Sequence, residues 1–359
     1  MVLALAAFST FAAVSALVSP ALAGEVQWVG GGHGGNPQWS TDGAWLAFEV
    51  NNNSDKVDLY VVKVANGNPA SPTKVVIPGG SSSFSAVGAY AANPNWHPKQ
   101  AVLIFEAANS GGQTRLYYLQ PGTASPAEYL SIGQAPGDLS WPSVSPDGSM
   151  VAFTTSASGS GDIMVFSQAT NKVSQAFGST KESENAPRFA PDGKTLAFSR
   201  KNYGTEDLFA GLIASTAQNA VKGATGNGDQ SRPRVSGANI VYYTNERGDD
   251  RWDVAVVPLV GGDRKVLGKD VRLPLRSSPA LSPDGSAVLY GSSEPAKDGS
   301  VFVAKLDGSG VKEIKTGLTA VGDPSMVTAA GRAFLSFTAL PASGSDWRQL
   351  HVIDVTGQL

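Results

Sequence analysis

The chain has 359 residues, 42% of them hydrophobic and 16% charged, and its 27 basic and 30 acidic side chains give a formal net charge of −3. This balance excludes a general binder of nucleic acid or of anionic membranes, because both need a surplus of basic side chains. The 41 glycines and 22 prolines indicate many short strands joined by turns, and without cysteine the fold cannot depend on a disulfide.

The first 23 residues form an uncharged, mostly apolar segment that predicts export. The segment is apolar from Val2 to Val18, is interrupted at Pro20 and ends in the small-residue pattern of 21–23. We therefore predict a signal peptide over residues 1–23, cleaved before Gly24, and a mature chain 24–359 that is periplasmic or secreted. An uncleaved membrane anchor is the alternative, because about 20 apolar residues can cross a bilayer. No later apolar run is that long, so no membrane span is predicted in the mature chain.

Seven marker prolines recur along the rest of the chain at an almost constant spacing. Neighbouring markers are 57, 48, 45, 46, 46 and 45 residues apart. A repeat of about 40 to 50 residues is typical of the blades of a β-propeller. We predict a single propeller domain with blade repeats that begin near residues 36, 93, 141, 186, 232, 278 and 323. The markers are Pro37, Pro94, Pro142, Pro187, Pro233, Pro279 and Pro324.

Each repeat has the pattern of a strand, a tight turn and a second strand. In the clearest copies, at 141–153, 186–198 and 278–290, the turn reads Ser/Ala-Pro-Asp-Gly. Proline presets φ for such a turn, aspartate can bond the nearby backbone, and glycine accepts positive φ. Short β-rich stretches after the second strand, such as 58–60 and 162–164, predict third strands. Fainter outer strands are predicted near 74–77, 128–132, 173–177, 219–222, 264–267 and 311–315.

The seventh repeat has no fourth strand of its own. Residues 25–29 lie ahead of the first repeat, alternate between polar and apolar, and can pair with residues 352–355. Such pairing would cover an otherwise open sheet edge. The predicted fold class is therefore all-β: a seven-bladed β-propeller of four-stranded antiparallel blades, closed by the N-terminal strand joining the last blade.

The turn, the apolar-Ala-Phe strand after it and the later Asp-Ile/Leu strand resemble the TolB-like, WD40-like β-propeller repeat. The resemblance covers nearly all of the mature chain and implies the propeller fold. For function it implies either periplasmic protein interaction or the propeller domain of prolyl-oligopeptidase-type enzymes. TolB itself has an α/β domain before a six-bladed propeller. This chain shows seven repeats, and only about a dozen residues, an ordinary connection length, separate the predicted cleavage site from the first of them.

No group of residues predicts catalysis. The sequence lacks the G-x-S-x-G pattern of exposed serine nucleophiles. Its three histidines, His33, His97 and His351, are far apart, and the acidic stretch 246–253 lacks the spacing of a calcium loop. We predict a non-enzymatic protein with no catalytic residue, no metal and no cofactor. A hydrolase or lyase acting on peptide or polysaccharide is the alternative.

Alternation along each innermost strand places the residues that flank the marker proline towards a central channel, and the apolar residue two positions after it between blades. Three arginines meet in the channel in the fourth and fifth repeats, and guanidinium groups bind carboxylate or phosphate well. We infer a site for a small anionic ligand. The alternative is hydrated side chains in a water-filled tunnel, paired with Asp323 or Glu184. The candidate channel residues are Arg188, Arg232, Arg234, Asp323 and Trp141.

The loops between strands two and three, and those between successive blades, emerge on one face, here called the rim. They are the longest and most varied loops, and loops on a rigid scaffold commonly carry recognition. Aromatic and arginine side chains anchor many protein interfaces, so the rim predicts a protein partner. The candidate rim residues are Tyr203, Arg247, Trp252, Arg272, Arg276, Trp347 and Arg348.

Overall fold

The computed structural model describes residues 22–28, 31–51, 56–77, 90–123, 125–131, 133–178, 181–202, 204–248, 250–342 and 344–358. Most of the predicted signal peptide, residues 1–21, lies outside the described residues. Within the described ranges, no helix is long and apolar enough to cross a membrane.

Seven antiparallel sheets form the blades of a ring. Blade 1 contains β2 (His33–Trp39), β3 (Trp45–Asn51), β4 (Val57–Ala65), β5 (Asn68–Pro69) and β6 (Thr73–Lys74). Blade 2 contains β7 (Ala91–Trp96), β8 (Leu103–Ala108), β9 (Thr114–Leu119) and β10 (Ala127–Glu128), and blade 3 contains β11 (Leu139–Val144), β12 (Met150–Thr155), β13 (Asp162–Ser167) and β14 (Lys172–Phe177).

The remaining blades have the same order from the inner to the outer strand. Blade 4 contains β15 (Ser183–Phe189), β16 (Thr195–Asn202), β17 (Thr205–Leu212) and β18 (Gln218–Ala220), with a 3-10 turn at Ile213–Ser215. Blade 5 contains β19 (Gln230–Ser236), β20 (Asn239–Thr244), β21 (Asp253–Pro258) and β22 (Lys265–Gly268). Blade 6 contains β23 (Ala280–Leu281), β24 (Ala287–Gly291), β25 (Ser300–Lys305) and β26 (Val311–Lys315). Blade 7 contains β27 (Thr319–Ala329), β28 (Arg332–Leu340), β29 (Gln349–Asp354) and β1 (Leu22–Val26).

This arrangement confirms the predicted fold class, including its closure by the first strand. β1 starts three residues earlier than predicted and runs antiparallel to β29, so that Gly24 pairs with Val352 and Val26 with Leu350. Val26 is 1% exposed and packs among residues of blades 7 and 1. The two ends of the chain are therefore joined in one hydrogen-bonded sheet.

The hydrophobic core consists of seven clusters, one between each pair of neighbouring blades. Each cluster combines inward residues of one sheet with those of the next, so every blade is stabilised from both sides. The residues predicted to pack between blades all belong to these clusters. They are Trp39, Trp96, Val144, Phe189, Val235, Leu281 and Met326.

The predicted tight turns join the first two strands of the blades. In blade 3, Gly148 N–H donates to Ser145 O (2.8 Å), and the Ser145 hydroxyl donates to Asp147 Oδ1 (2.6 Å). Gly148 has φ +81°, a conformation that glycine adopts without steric cost. In blade 2 the serine position is taken by His97, whose Nδ1 accepts the N–H of Lys99 (3.2 Å). This histidine is thus part of the turn, as its place in the repeat predicts.

Each innermost strand except that of blade 6 is interrupted at its marker proline by a β-bulge. In blade 1 the pairing jumps from Gly35↔Glu49 to Gln38↔Ala47. The residue before the proline is in the left-handed region, with φ between 46° and 55°, which costs a non-glycine residue about 1 kcal/mol or more. The bulge also turns that residue's N–H out of its own sheet. The six left-handed residues are Asn36, Asn93, Trp141, Ala186, Arg232 and Asp323.

We expect the closing strand to contribute substantially to stability. Val26→Asp places a charge in the core between blades 7 and 1, and should lower the free energy of unfolding by about 3 kcal/mol. Gln27→Glu, at the next and exposed position, is the matched control and should change it by less than about 0.5 kcal/mol. Urea unfolding followed by tryptophan fluorescence measures both. Equal midpoints for the two variants would show that β1 does not hold the ring closed.

Candidate functional site

Blade 6 lacks the bulge, and this difference shapes the centre of the ring. Val271 still pairs with Ser292, and Arg272 N–H donates to Gly291 O (2.8 Å), but pairing then resumes only at Ala280. Residues 273–279, here called the plug, leave the sheet where the other blades have a two-residue bulge. Pro274 favours this departure because proline cannot donate a hydrogen bond to a neighbouring strand.

The plug lies in the channel, because its residues face all six other blades. Leu275 and Arg276 line one cavity with residues of blades 1 and 7, and Ser277 and Ser278 line another with residues of blades 1 to 5. Each cavity has a volume of only about 10 Å³, enough for one water molecule. Residues 275–278 of the plug therefore occupy the part of the channel that these two small cavities adjoin.

Arg276 ties the plug to the opposite side of the channel. Its guanidinium lies over the ring of Tyr90, 5.1 Å from the centroid, and donates to the Tyr90 hydroxyl (2.8 Å). That hydroxyl donates in turn to Glu106 Oε1. Burial, and then the charge of Glu106, raise the pKa of Tyr90, which keeps it protonated. Sequence reasoning placed Arg276 on the rim; the structure places it inside the channel mouth.

Two buried carboxylates form the acidic side of this mouth. Glu49, 5% exposed, accepts the N–H of Asn93 and the side-chain amide of Asn36, both at 2.7 Å. Glu106 Oε2 accepts the N–H of Trp141 (2.6 Å). Each carboxylate therefore binds the left-handed residue of the following blade. Burial raises the pKa of Glu49 to about 7, although its hydrogen bonds and Arg276 act in the opposite direction.

Asp323 continues the acidic side into blade 7. Its Oδ1 accepts the N–H of Asn36 (3.5 Å), and its Oδ2 accepts the Thr338 hydroxyl (3.0 Å) and lies 3.6 Å from Arg348 Nη1. The carboxylate thus lies at the channel mouth and contacts Arg348 rather than the three predicted channel arginines.

The basic side of the channel comes from blades 4 and 5. Arg188 donates to the Ser278 hydroxyl (3.2 Å), Arg234 to Pro279 O (3.4 Å) and Arg232 to Pro274 O. All three predicted arginines therefore contact the plug. The ring of Trp141 lies 5.7 Å from the Arg188 guanidinium, so this predicted channel residue belongs to the same wall.

The outer surface of the mouth combines an apolar residue with cationic and aromatic ones. Leu275 is 62% exposed at the top of the plug. It lines the mouth with Arg348 and His33, whose ring packs edge-on against Trp347 with centroids 4.9 Å apart. Arg272, which donates to Val321 O (3.1 Å), has its pKa lowered by burial and by the charge of Arg348. Arg272 and Trp347 therefore lie beside the residues of the mouth.

Two other predicted rim residues, Arg247 and Trp252, do not line this mouth. Arg247 pairs with Asp253 and with Asp270 (2.9 Å), and Trp252 packs against the core between blades 5 and 6. Tyr203 lies outside the described residues. Glu184, the other suggested partner of the channel arginines, instead binds Arg200 (2.8 Å).

Among the described residues there is no group of three His, Asp or Glu side chains placed to hold a metal ion. In the acidic stretch 246–253, Glu246 pairs with Arg264 and Asp253 with Arg247. Two of its carboxylates are thus neutralised by arginines. His33 accepts the N–H of Arg348 (3.1 Å), so it connects blade 1 to blade 7.

Comparison with solved structures finds the same architecture at low sequence identity. TolB from Acinetobacter baumannii is 16% identical with a TM-score of 0.53, over 89% of this chain and 65% of that one, so the chain spans just under two thirds of its length. An oligogalacturonate lyase solved with manganese is 13% identical with a TM-score of 0.62, over 91% and 90%. A prolyl endopeptidase is 12% identical with a TM-score of 0.55, over 91% of this chain and 50% of that one. These similarities show the fold alone.

No curated protein matches the sequence significantly. The family model described as the TolB beta propeller domain matches residues 124–328, which is more than half of the chain. The family model and the ring of blades agree with the resemblance seen in the repeats. The chain therefore belongs to the TolB beta-propeller domain family.

Proposed function

We propose that this protein is an exported, non-enzymatic binding protein that recognises a protein partner through the rim at the channel mouth. The observation that carries the proposal is the plug, which holds an exposed leucine at the centre of a face lined by Arg272, Arg348 and Trp347. A small apolar centre with arginine and aromatic neighbours is the composition of many interface hot spots.

The rigidity of the mouth also supports this proposal. The plug is held on both sides, by Arg232 from blade 5 and by Tyr90 beside blade 2. A surface that is ordered before binding loses less conformational entropy when a partner docks. The cationic groups around Leu275 favour a partner surface that combines apolar and acidic side chains.

A hydrolase or lyase is the second candidate. The observation that favours it is the fold shared with an oligogalacturonate lyase and a prolyl endopeptidase. Tightly bound divalent metal in the purified protein, together with cleavage of oligogalacturonate or of a proline-containing peptide, would favour this candidate over the first.

Replacing the leucine at the mouth should strongly reduce partner capture. We expect Leu275→Asp to reduce the crosslinked partner recovered with the tagged, exported protein by about tenfold or more, because about 1.4 kcal/mol of binding free energy corresponds to a factor of ten. Quantitative mass spectrometry after crosslinking in the producing cell measures the recovery.

Val260→Asp is the matched control. Val260 is 95% exposed and lies in the turn between β21 and β22, on the face opposite the rim. It should leave recovery unchanged. Equal recovery with both variants, or a loss only with Val260→Asp, would contradict binding at the mouth.

Export should leave a mature protein that begins at Gly24. The apolar segment before it ends in the small-residue pattern that signal peptidases cleave. N-terminal sequencing of protein recovered from the periplasm or medium checks this. An intact N-terminus on membrane-bound protein would show instead that the segment is an anchor.

The buried carboxyl of Glu49 should make the folded protein less stable as the pH rises. Its pKa of about 7 in the fold lies above its ordinary value of 4.5, so the folded state holds the extra proton between these pH values. Stability therefore falls as pH rises through this window, by up to about 3 kcal/mol at 1.36 kcal/mol per pKa unit.

Glu49→Gln should remove this part of the pH dependence. Urea unfolding at pH values below and above the window measures it, and the same substitution at the exposed Glu25 should leave the wild-type dependence in place. If Glu49→Gln and wild type lose stability equally, the carboxyl does not titrate in this range.

A further inference from the structure

The second cavity of the channel is lined by cationic and neutral polar groups, without a carboxylate. It lies beneath Arg276, between the plug and the innermost strands of blades 1 to 5. The neighbouring cavity at the mouth, by contrast, is lined by the carboxylates of Glu49 and Asp323. The residues that line this cavity are Asn36, Gln38, Asn93, Pro94, Asn95, Pro142, Arg188, Arg234, Arg276, Ser277 and Ser278.

Two arginines in this cavity have only neutral hydrogen-bond partners. Arg188, 8% exposed, donates to the Ser278 hydroxyl (3.2 Å) and Pro187 O (3.0 Å), and Arg234 donates to Pro279 O (3.4 Å). Within the described part of the chain, neither has a carboxylate oxygen within 4.0 Å. Buried charges are normally paired, because removing a charge from water is costly.

The two guanidinium groups also repel each other. Burial, and after it the charge of Arg234, lower the pKa of Arg188 to about 9, while the charge of Glu106 has a smaller effect in the opposite direction. Burial lowers the pKa of Arg234 as well. Because arginine side chains keep their proton at neutral pH, the cavity has a local excess of positive charge.

Neutral hydrogen-bond donors around the cavity also favour an anion as its ligand. The amide oxygen of Asn95 accepts the N–H of Val144 (3.2 Å), which leaves the Asn95 NH₂ group for the cavity. Ser278 accepts from Arg188, so its own hydroxyl hydrogen is free for another acceptor. Guanidinium, amide and hydroxyl donors around one space form a site for an anion.

Size restricts which anion fits. The volume of about 10 Å³ accepts one atom of roughly water size, whereas phosphate, sulfate or a carboxylate has several heavy atoms. We propose that the channel binds a single halide ion, chloride, between Arg188 and Arg234 beneath the plug. The ion would neutralise the buried Arg188 and the half-buried Arg234, and this role is independent of whether a partner docks on the mouth.

Bromide tests the site directly, because it replaces chloride and has a strong anomalous X-ray signal. Crystals of the wild-type protein grown or soaked in bromide should show an anomalous peak in contact with both guanidinium groups. No peak there, or peaks only on the outer surface, would overturn the proposal.

A second test measures stability in solution. The wild-type protein should unfold at a temperature about 2 °C or more higher in chloride than in gluconate of equal ionic strength, because a ligand that binds only the folded state stabilises it. Arg188→Met and Arg234→Met should each lose this chloride effect. Comparison with the variants removes general effects of the two salts.

Arg247→Met is the matched control, because Arg247 is paired on the rim and does not line the cavity. It should keep the full chloride effect. Retention of the effect in both channel variants would overturn the proposal. If neither channel variant folds, the bromide crystals and the wild-type comparison of chloride with gluconate still decide it.

Discussion

The left-handed residue before each marker proline is the constraint that organises the centre of this propeller. It breaks the pairing of the innermost strand in six blades and directs its own N–H away from the sheet. In blades 1 to 3 that N–H is accepted by a carboxylate of the preceding blade, namely Asp323, Glu49 or Glu106. The same bulge therefore connects neighbouring blades and sets the acidic side of the channel.

Blade 6 has a different centre because this constraint is absent from it. Ser278 is not left-handed, and the seven residues 273–279 take the place of the two-residue bulge. The released segment can then bind the arginines of blades 4 and 5 and reach Tyr90 across the ring. In blade 6, this segment thus brings Leu275 and Arg276 to the mouth of the channel.

The periodicity of the sequence predicted the ring because every blade repeats the same pattern of strands, turns and buried apolar positions. The marker prolines, the tight turns and the third strands recur at nearly constant spacing. The closing strand could also be inferred, because the seventh repeat has no fourth strand to cover its outer edge. The plug could not be predicted from spacing, because Pro279 lies 46 residues after Pro233 as in a regular blade. The available signal was Pro274, a second proline shortly before the marker, in the interval where the innermost strand would begin.

The repeat pattern also predicted part of the candidate site. Arg188 and Arg234 flank marker prolines, so alternation placed them in the channel. Glu49 and Glu106 lie on second strands, whose pattern predicts only core, yet each is an acidic residue within an otherwise apolar run and could have been noticed there. The left-handed conformation is typical of Asn36, Asn93 and Asp323, but nothing in the residue type suggests it for the other three.

The pairing of β1 with β29 also has a consequence for the order of biogenesis. Val26 is among the earliest residues of the propeller to be synthesised, and its partner Leu350 is among the last. The last blade therefore stays incomplete until synthesis is nearly finished, and contacts between such distant parts of a chain form slowly. The ring can therefore reach its final stability only after nearly all of its blades have been made.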